Sequence, residues 1–408
     1  MSRATLCRAF TLLLVTSGSF AQPAVLKDEA WVGAWGFPPT SAAPNIAPET
    51  NRLDRQLVTF NNVTVRQIVR IAVPSNKIRL RFSNEFGDKA LRLGSVHVAL
   101  SAGDGTNVPG SDHLVTFAGQ SSASVPANAP FFSDVIPWKL PALATLSISI
   151  FIPEETVLPA HRVSAWISTT GNFTDTTALP EAQLVRIGAL VSAVDVISPN
   201  AGRVIVALGD SITEGVGSTV NAFHSWPDRI ADRLAASPRS LWSIVNAGIG
   251  SNRLLHNDPG KGALARFDRD VLSVPNVGAV LMLEGINDIG YSYTNPSESV
   301  SAEEIIDAYR QVIARAHSHG LTAFAGTIPP FEDSHYYDLK GEQVRQTVNH
   351  WLRSSHEFDG IIDFDLVLRD DAHPTRVKAA LHRGDHLHPN DAGYAAMADA
   401  VDLTLITR

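Results

Sequence analysis

The chain has 408 residues, 44% of them hydrophobic and 18% charged, which is enough apolar material for two compact domains and too little charge for a disordered chain. The net charge of -8 leaves no excess of cations to neutralise phosphates, so nucleic acid is not an expected partner. With one cysteine, a disulfide-stapled fold is excluded.

At the start, Arg3 and Arg8 flank the beginning of an apolar run at 9–15, and Ser19-Phe20-Ala21 fits a small-x-small cleavage site. This is the pattern of a signal peptide over residues 1–21. The run is shorter than the roughly 20 residues a membrane span needs, and no later stretch reaches that length. A soluble protein, secreted or periplasmic, is therefore expected. Cys7 lies inside the leader, so the mature chain would carry no thiol, and cysteine nucleophiles and cysteine metal sites drop out. No cofactor and no metal are expected, and the oligomeric state is left open.

From residue 31 to 173 apolar and polar residues alternate in short runs. Thr64-Val65-Arg66-Gln67-Ile68-Val69-Arg70-Ile71, Lys77-Ile78-Arg79-Leu80-Arg81-Phe82, Val96-His97-Val98-Ala99-Leu100 and Thr145-Leu146-Ser147-Ile148-Ser149-Ile150 repeat with period two, which predicts strands. Turn residues divide them, as at Pro74-Ser75-Asn76 and Ala102-Gly103-Asp104-Gly105. A β-sandwich domain over residues 28–185 is the economical reading. Its boundary falls within 178–202, a stretch that also holds a strand-like run at 190–197.

Beyond residue 201 the pattern becomes strand, turn and helix in repeated order. Strands are predicted at 203–208, 244–246, 277–283, 321–326 and 361–364, and helices at 226–236, 263–271, 302–317, 342–353 and 389–403. This alternation implies an α/β domain over 201–408 with a parallel sheet covered on both faces, and it places ligand chemistry at the carboxyl ends of the strands.

Three strand ends and one late loop carry chemistry. The first strand runs into Gly209-Asp210-Ser211, which exposes a serine as a nucleophile requires. The second ends in Asn246-Ala247-Gly248-Ile249-Gly250-Ser251, a Gly-rich turn able to direct backbone N–H groups into the same crevice. The third ends in Gly285-Ile286-Asn287-Asp288, where the Asn287 amide can donate to a developing oxyanion and Asp288 reads as a turn or cap residue. The late loop is Asp385-His386-Leu387-His388-Pro389, in which an Asp three residues before a His can reach its Nδ1–H and leave Nε2 for a serine. Asp370-Asp371-Ala372-His373-Pro374 repeats that spacing, and spacing alone does not choose between the two.

Gly209-Asp210-Ser211, Gly285-x-Asn287-Asp288 and Asp385-x-x-His388-Pro389-Asn390, in that order, resemble the blocks of the GDSL-type SGNH hydrolases. The resemblance covers about 203–403. It implies a flavodoxin-like sheet, Ser211 as nucleophile, His388 as general base and acid, Asp385 as its orienter, and an oxyanion hole made by the Ser211 N–H, a backbone N–H of the second block and Asn287. In that family the second block has glycine five residues after its asparagine. Here that position is Ser251, with Gly250 one place earlier, and either N–H can serve. The Thr64-Val65-Arg66-Gln67 and Ser83-Asn84-x-Phe86-Gly87 runs resemble the β-domain of exported members, including some described as xylan-associated esterases.

A secreted serine esterase acting on short-chain carboxylic esters is the expected function, with acetyl groups on polysaccharides favoured as substrate; a lipase or arylesterase is the alternative. Two other classes fit the residues less well. A metal hydrolase on His382, Asp385, His386 and His388 would leave Ser211 and Asn287 without a role. A non-catalytic carbohydrate-binding protein would leave the whole set idle. Trp226, just after the nucleophile turn, could line the acyl site, although core packing is the favoured use.

Overall fold

The computed structural model describes residues 29–40, 57–159, 163–199, 202–237, 242–257, 260–335 and 337–407; the expected leader at 1–21 lies outside them. Among the described residues, every strand before Arg203 that pairs does so antiparallel, and no helix occurs there. One sheet joins Trp31–Gly36, Val191–Ile197, Ser75–Ser83 and Pro130–Phe132 in that order, with Ile136–Leu140 also on Ser75–Ser83. The other runs Gln183–Ile187, Val163–Thr170, Val63–Arg70, Thr145–Ile152, Val96–Gly103 and Thr106–Asn107. This β-rich region is consistent with the expected sandwich.

Strand periodicity decides what each residue of Val63–Arg70 does, because successive side chains leave opposite faces. Val65 and Val69 are fully buried with Ile148 and Ile150 of the next strand and with Leu80 and Val194 of the other sheet, in one apolar cluster. Gln67 shares their face and clamps the two sheets: its Nε2 donates to Val191 O at 2.8 Å and its Oε1 accepts from Val191 N at 3.2 Å. Arg66 leaves the opposite face, donating to Ser149 Oγ at 2.8 Å and to the loop carbonyls of Gly105 and Thr176 at 2.6 and 2.7 Å. Burial there pushes its guanidinium down to about 10.

The boundary of the β unit differs from the expected 28–185. Val191–Ile197 is an inner strand of the first sheet, paired on one side with Trp31–Gly36 and on the other with Ser75–Ser83, so this unit reaches Ile197. A run so apolar and close to the change in pattern resembles a buried parallel strand when read alone. Its two antiparallel neighbours lie more than a hundred residues upstream and are invisible to any local window.

The second half holds a parallel sheet in the order Trp242–Gly248, Arg203–Gly209, Val277–Leu283, Thr322–Gly326, Gly360–Ile362. By chain order this is 2-1-3-4-5, the flavodoxin-like arrangement, whose crevice opens where the order reverses beside the first strand. Its strands are apolar runs buried on both faces, as in 203–209, where only Arg203 is exposed. Trp226–Ala236 is capped by Ser225, carries Pro227 in its first turn and buries Ile230, Ala231 and Leu234. The register places Gly209 level with Gly248 on one side and Leu283 on the other, so three strands end together.

The two halves are in contact. Arg70 donates to Asp232 Oδ1 at 2.9 Å and to Asp228 O at 3.1 Å, and Gly33 N donates to Pro275 O at 3.2 Å.

Replacing Gln67 by Leu keeps the volume but leaves both polar groups of Val191 without a partner, at a cost of about 1–3 kcal/mol for each buried unpaired group. Urea unfolding should report a lower midpoint with an unchanged slope. Equal stability would mean that the clamp contributes nothing between the sheets.

Candidate active site

The first strand ends at Gly209, and Asp210 caps the helix Ser211–Glu214 by accepting from Ile212 N at 2.8 Å. Ser211 thus opens a helix at the sheet edge, and it is 6% exposed. Its Oγ lies 2.9 Å from His388 Nε2. His388 Nδ1 lies 2.7 Å from Asp385 Oδ2, whose other oxygen accepts from His388 N at 2.9 Å and Leu387 N at 3.1 Å. Burial alone would raise the Asp385 carboxyl. The hydrogen bonds from the His388 ring and N–H and from Arg383 prevail and hold it well below the usual carboxylate range. A charged Asp385 selects the tautomer with hydrogen on Nδ1, leaving Nε2 to accept from Ser211.

The loop that presents this pair is tied at both ends. Arg383 N donates to His388 O at 3.0 Å and Asn390 N to Leu381 O at 3.0 Å. Asn390 then caps the helix Asp391–Asp399 by accepting from Gly393 N, also at 3.0 Å. The expected helix over 389–403 is divided into Asp391–Asp399 and Leu403–Ile406, with Asp402 capping the second piece. The repeated spacing at Asp370 and His373 is brought to no serine: Asp370 accepts the N–H groups of Ala372 and His373 in a surface turn, and the His373 side chain is 64% exposed.

Across the crevice, the third strand leads into a helix, Ile286–Thr294, that the sequence reading passed over. Asn287 and Asp288 occupy its first turn, and both are buried. Asn287 Nδ2 donates to Asn252 O at 2.8 Å. Asp288 accepts from Leu254 N at 2.7 Å and Leu255 N at 3.0 Å, so it pins the second-block loop rather than capping its own helix. Burial and the uncapped start of that helix at Gly285 show why a cap reading fails there. In the second block, Ile249 N donates to Gly209 O at 2.9 Å, tying the start of that loop to the strand end before Ser211. Ser251, five residues after Asn246, has φ of 60°, the left-handed region that favours the family's glycine.

Under these loops lies a charged cluster that the sequence reading also missed. Arg266 is 2% exposed and donates to Asn252 Oδ1, Ala247 O, Gly209 O and Asp270 Oδ2 at 2.9, 2.7, 2.9 and 3.0 Å. Asp210 and Glu284 lie within reach of its charge, Glu284 Oε1 3.6 Å from Nη2. Burial, then the charge of Asp288, pushes the Asp210 carboxyl up to about 7; burial and the charge of Asp210 push Glu284 well above the usual range. One signal was available. Ala263, Phe267 and Val271 mark the inward face of the predicted helix 263–271, and Arg266 with Asp270 falls on that face at i, i+4 spacing.

Trp226 is fully buried, its ring 5.8 Å from that of Phe364, and it belongs to the core. In the histidine cluster considered for a metal, His382 Nδ1 accepts from Gly384 N and His386 N at 3.0 and 3.2 Å, and the His382 and His386 rings lie 4.5 Å apart at a tilt of 37°. The described residues include no group of three or more His, Asp or Glu placed to hold a metal ion, and no helix long and apolar enough to cross a membrane.

No curated protein sequence matches the chain. Among solved structures, it is similar to LAE5, an alpha/beta hydrolase enzyme from the metagenome of Lake Arreo, at 24% identity over 49% of this chain and 93% of that one, with a TM-score of 0.38. A mutant of Axe2, an acetyl-xylooligosaccharide esterase from Geobacillus, is similar at 22% identity over 49% and 92%, with a TM-score of 0.39. A GDSL-like lipase from Bacteroides thetaiotaomicron is similar at 14% identity over 50% and 87%, also at 0.39. Residues 207–396 match the model of the GDSL-like Lipase/Acylhydrolase family, and the stretch carrying Ser211, Asn287, Asp385 and His388 is a GDSL-like lipase/acylhydrolase domain.

Proposed function

We propose that this protein is an exported serine esterase that hydrolyses short-chain carboxylic esters, acetyl groups on polysaccharide in particular. The observation that carries the reading is the unbroken chain Ser211 Oγ, His388 Nε2, His388 Nδ1, Asp385 Oδ2, with contacts of 2.9 and 2.7 Å at the carboxyl edge of the sheet. His388 takes the serine proton as Oγ attacks the ester carbon. It returns that proton to the departing alcohol, and then activates the water that releases the acid. Asp385 stays ionised and holds the imidazolium that forms in each step. The oxyanion is received by the Ser211 N–H, the Asn287 amide and a backbone N–H at Gly250 or Ser251. The substrate class rests on the leader-like start, which suggests export, on the added β-rich region, and on the lack of an apolar amphipathic segment in the sequence that could serve as a lipase lid.

Ser211→Ala should lower kcat on p-nitrophenyl acetate by about 10³-fold or more in a folded protein, as loss of a triad nucleophile does. His388→Ala should be equally inactive and His373→Ala close to wild type. Near-normal turnover by Ser211→Ala would end the serine reading, and the reverse histidine result would move the base to the surface turn.

A panel of p-nitrophenyl esters from acetate to dodecanoate, assayed beside acetylated xylan and pectin, tests the substrate. Acetate release from polysaccharide with falling rates as the acyl chain grows is expected. A preference for long chains with no acetate released would assign a lipase or arylesterase instead.

Arg383 Nε donates to Asp385 Oδ2 at 2.6 Å, the same oxygen that faces His388 Nδ1. Its cation offsets part of the carboxylate charge that stabilises a protonated His388. Removing it should favour the imidazolium and move the acid limb of kcat/KM to higher pH, by about half a unit because the guanidinium is partly exposed. An unmoved or lowered limb in Arg383→Ala would show that Arg383 has no electrostatic hold on the pair.

A further inference from the structure

We infer that Arg266 is a positioning residue for the reaction, holding the nucleophile turn and the oxyanion donors at a fixed separation; this rests on the esterase reading above. The guanidinium carries five N–H groups in a rigid fork, and their placement is the argument. One Nη2 bond goes to Gly209 O, the last carbonyl of the strand that presents Ser211. One Nη1 bond goes to Ala247 O, near the end of the strand that leads to Gly250 and Ser251. Nε donates to Asn252 Oδ1, while the backbone carbonyl of the same Asn252 accepts from Asn287 Nδ2. Arg266 is therefore two hydrogen bonds from Asn287 and one from the strand end before Ser211. The fourth bond, to Asp270 Oδ2, balances the charge one helical turn on, and Nη2 faces Glu284 Oε1 at 3.6 Å.

A buried arginine that served only the fold could satisfy itself with its own helix and one carboxylate. Here three of four bonds go to two neighbouring strand ends and the loop at Asn252. Arg266 is set back beneath the crevice and acts through Gly209, Ala247 and Asn252. An oxyanion hole stabilises charge only where its donors meet the oxygen of the transition state, so a shift of strand end against loop is felt in kcat before it is felt in KM.

The test compares Arg266→Met, Arg266→Lys and Asn252→Ala with wild type on p-nitrophenyl acetate, and counts active sites by end-point labelling with a fluorophosphonate. Arg266→Met should lose about 10²-fold in kcat per labelled site with KM within about threefold, the signature of a transition-state defect. Arg266→Lys, which keeps the charge but not the fork, should recover part of that loss. Asn252→Ala, which leaves the bonds to Gly209 and Ala247 in place, should lose about tenfold in kcat, again with little change in KM. Should neither Arg266 variant fold, Asn252→Ala decides alone. Wild-type kcat per labelled site in the folded variants, even with a lowered melting temperature, would reduce Arg266 to a fold pin and overturn the inference. Turnover retained by Ser211→Ala in the same assay would instead fault the esterase reading beneath it.

Discussion

At the carboxyl edge of the parallel sheet a helix of only four residues, Ser211–Glu214, is laid directly across two strand ends, and only a hydrogen atom fits beneath it. A Cβ on Gly209 would come within 2.0 Å of Thr213 Oγ1 and 2.6 Å of Leu283 O; a Cβ on Gly248 would come within 2.2 Å of Glu214 N. This contact sets the height of Ser211 above the sheet. Once that height is set, the level ends of the three strands bring the second and third blocks to it, and His388 has one place in which its Nε2 can meet Oγ. A larger residue at 209 or 248 would lift the helix and move the serine away from an imidazole held independently by its own loop.

The electrostatics beneath the site follow from the same compactness. Asp210, Glu284 and Asp288 are all buried beneath the loops, and burial raises all three carboxyl groups above their ordinary values. Arg266 is the buried cation placed among them, and its charge opposes the rise for Asp210 and Glu284. Asp385, the carboxylate that meets His388 Nδ1, is kept apart from them. It stands on a half-exposed loop with three N–H donors from residues 387 and 388 and a guanidinium around it. Acids of one chemical kind are thus divided by environment, three held high by burial and one held low by its donors.

Legibility in the sequence tracked how local each cause was. The alternating strands around Val65 and Ile148 and the apolar run 203–209 announce themselves because burial on one or two faces leaves a short-range pattern. Trp226–Ala236 carries its own cap, its proline and its stripe. The Ser, His and Asp positions were legible through motif order, since chemistry constrains residue identity more tightly than packing does. What escaped was decided by distant partners. Ile286–Thr294 reads as a turn because Asn287, Asp288, Gly290 and Ser292 are poor helix formers, yet Ile286 and Ile289 are buried in the core and hold it helical. Val191–Ile197 is held between two strands, Trp31–Gly36 and Ser75–Ser83, that both precede it by more than a hundred residues. Arg266 falls on the inward face of its helix by spacing alone, but what it binds appears only once the ends of two strands and the Asn252 loop are in place.

The strand Trp31–Gly36 is the last member of its antiparallel sheet, and Trp242–Gly248 is the last member of the parallel one; the two lie against each other. Sheet margins are where polypeptides recruit foreign strands, and proteins commonly blunt them with charge, proline or a covering segment. Here each margin is the cover of the other. The N-terminal region is in this sense a shield for the hydrolase half, whatever else it contacts: a chain shortened to residues after 200 would uncover the margin of Trp242–Gly248 and the Val245 side chain, against which Gly33 and Gly36 lie, and an uncovered apolar margin invites self-association.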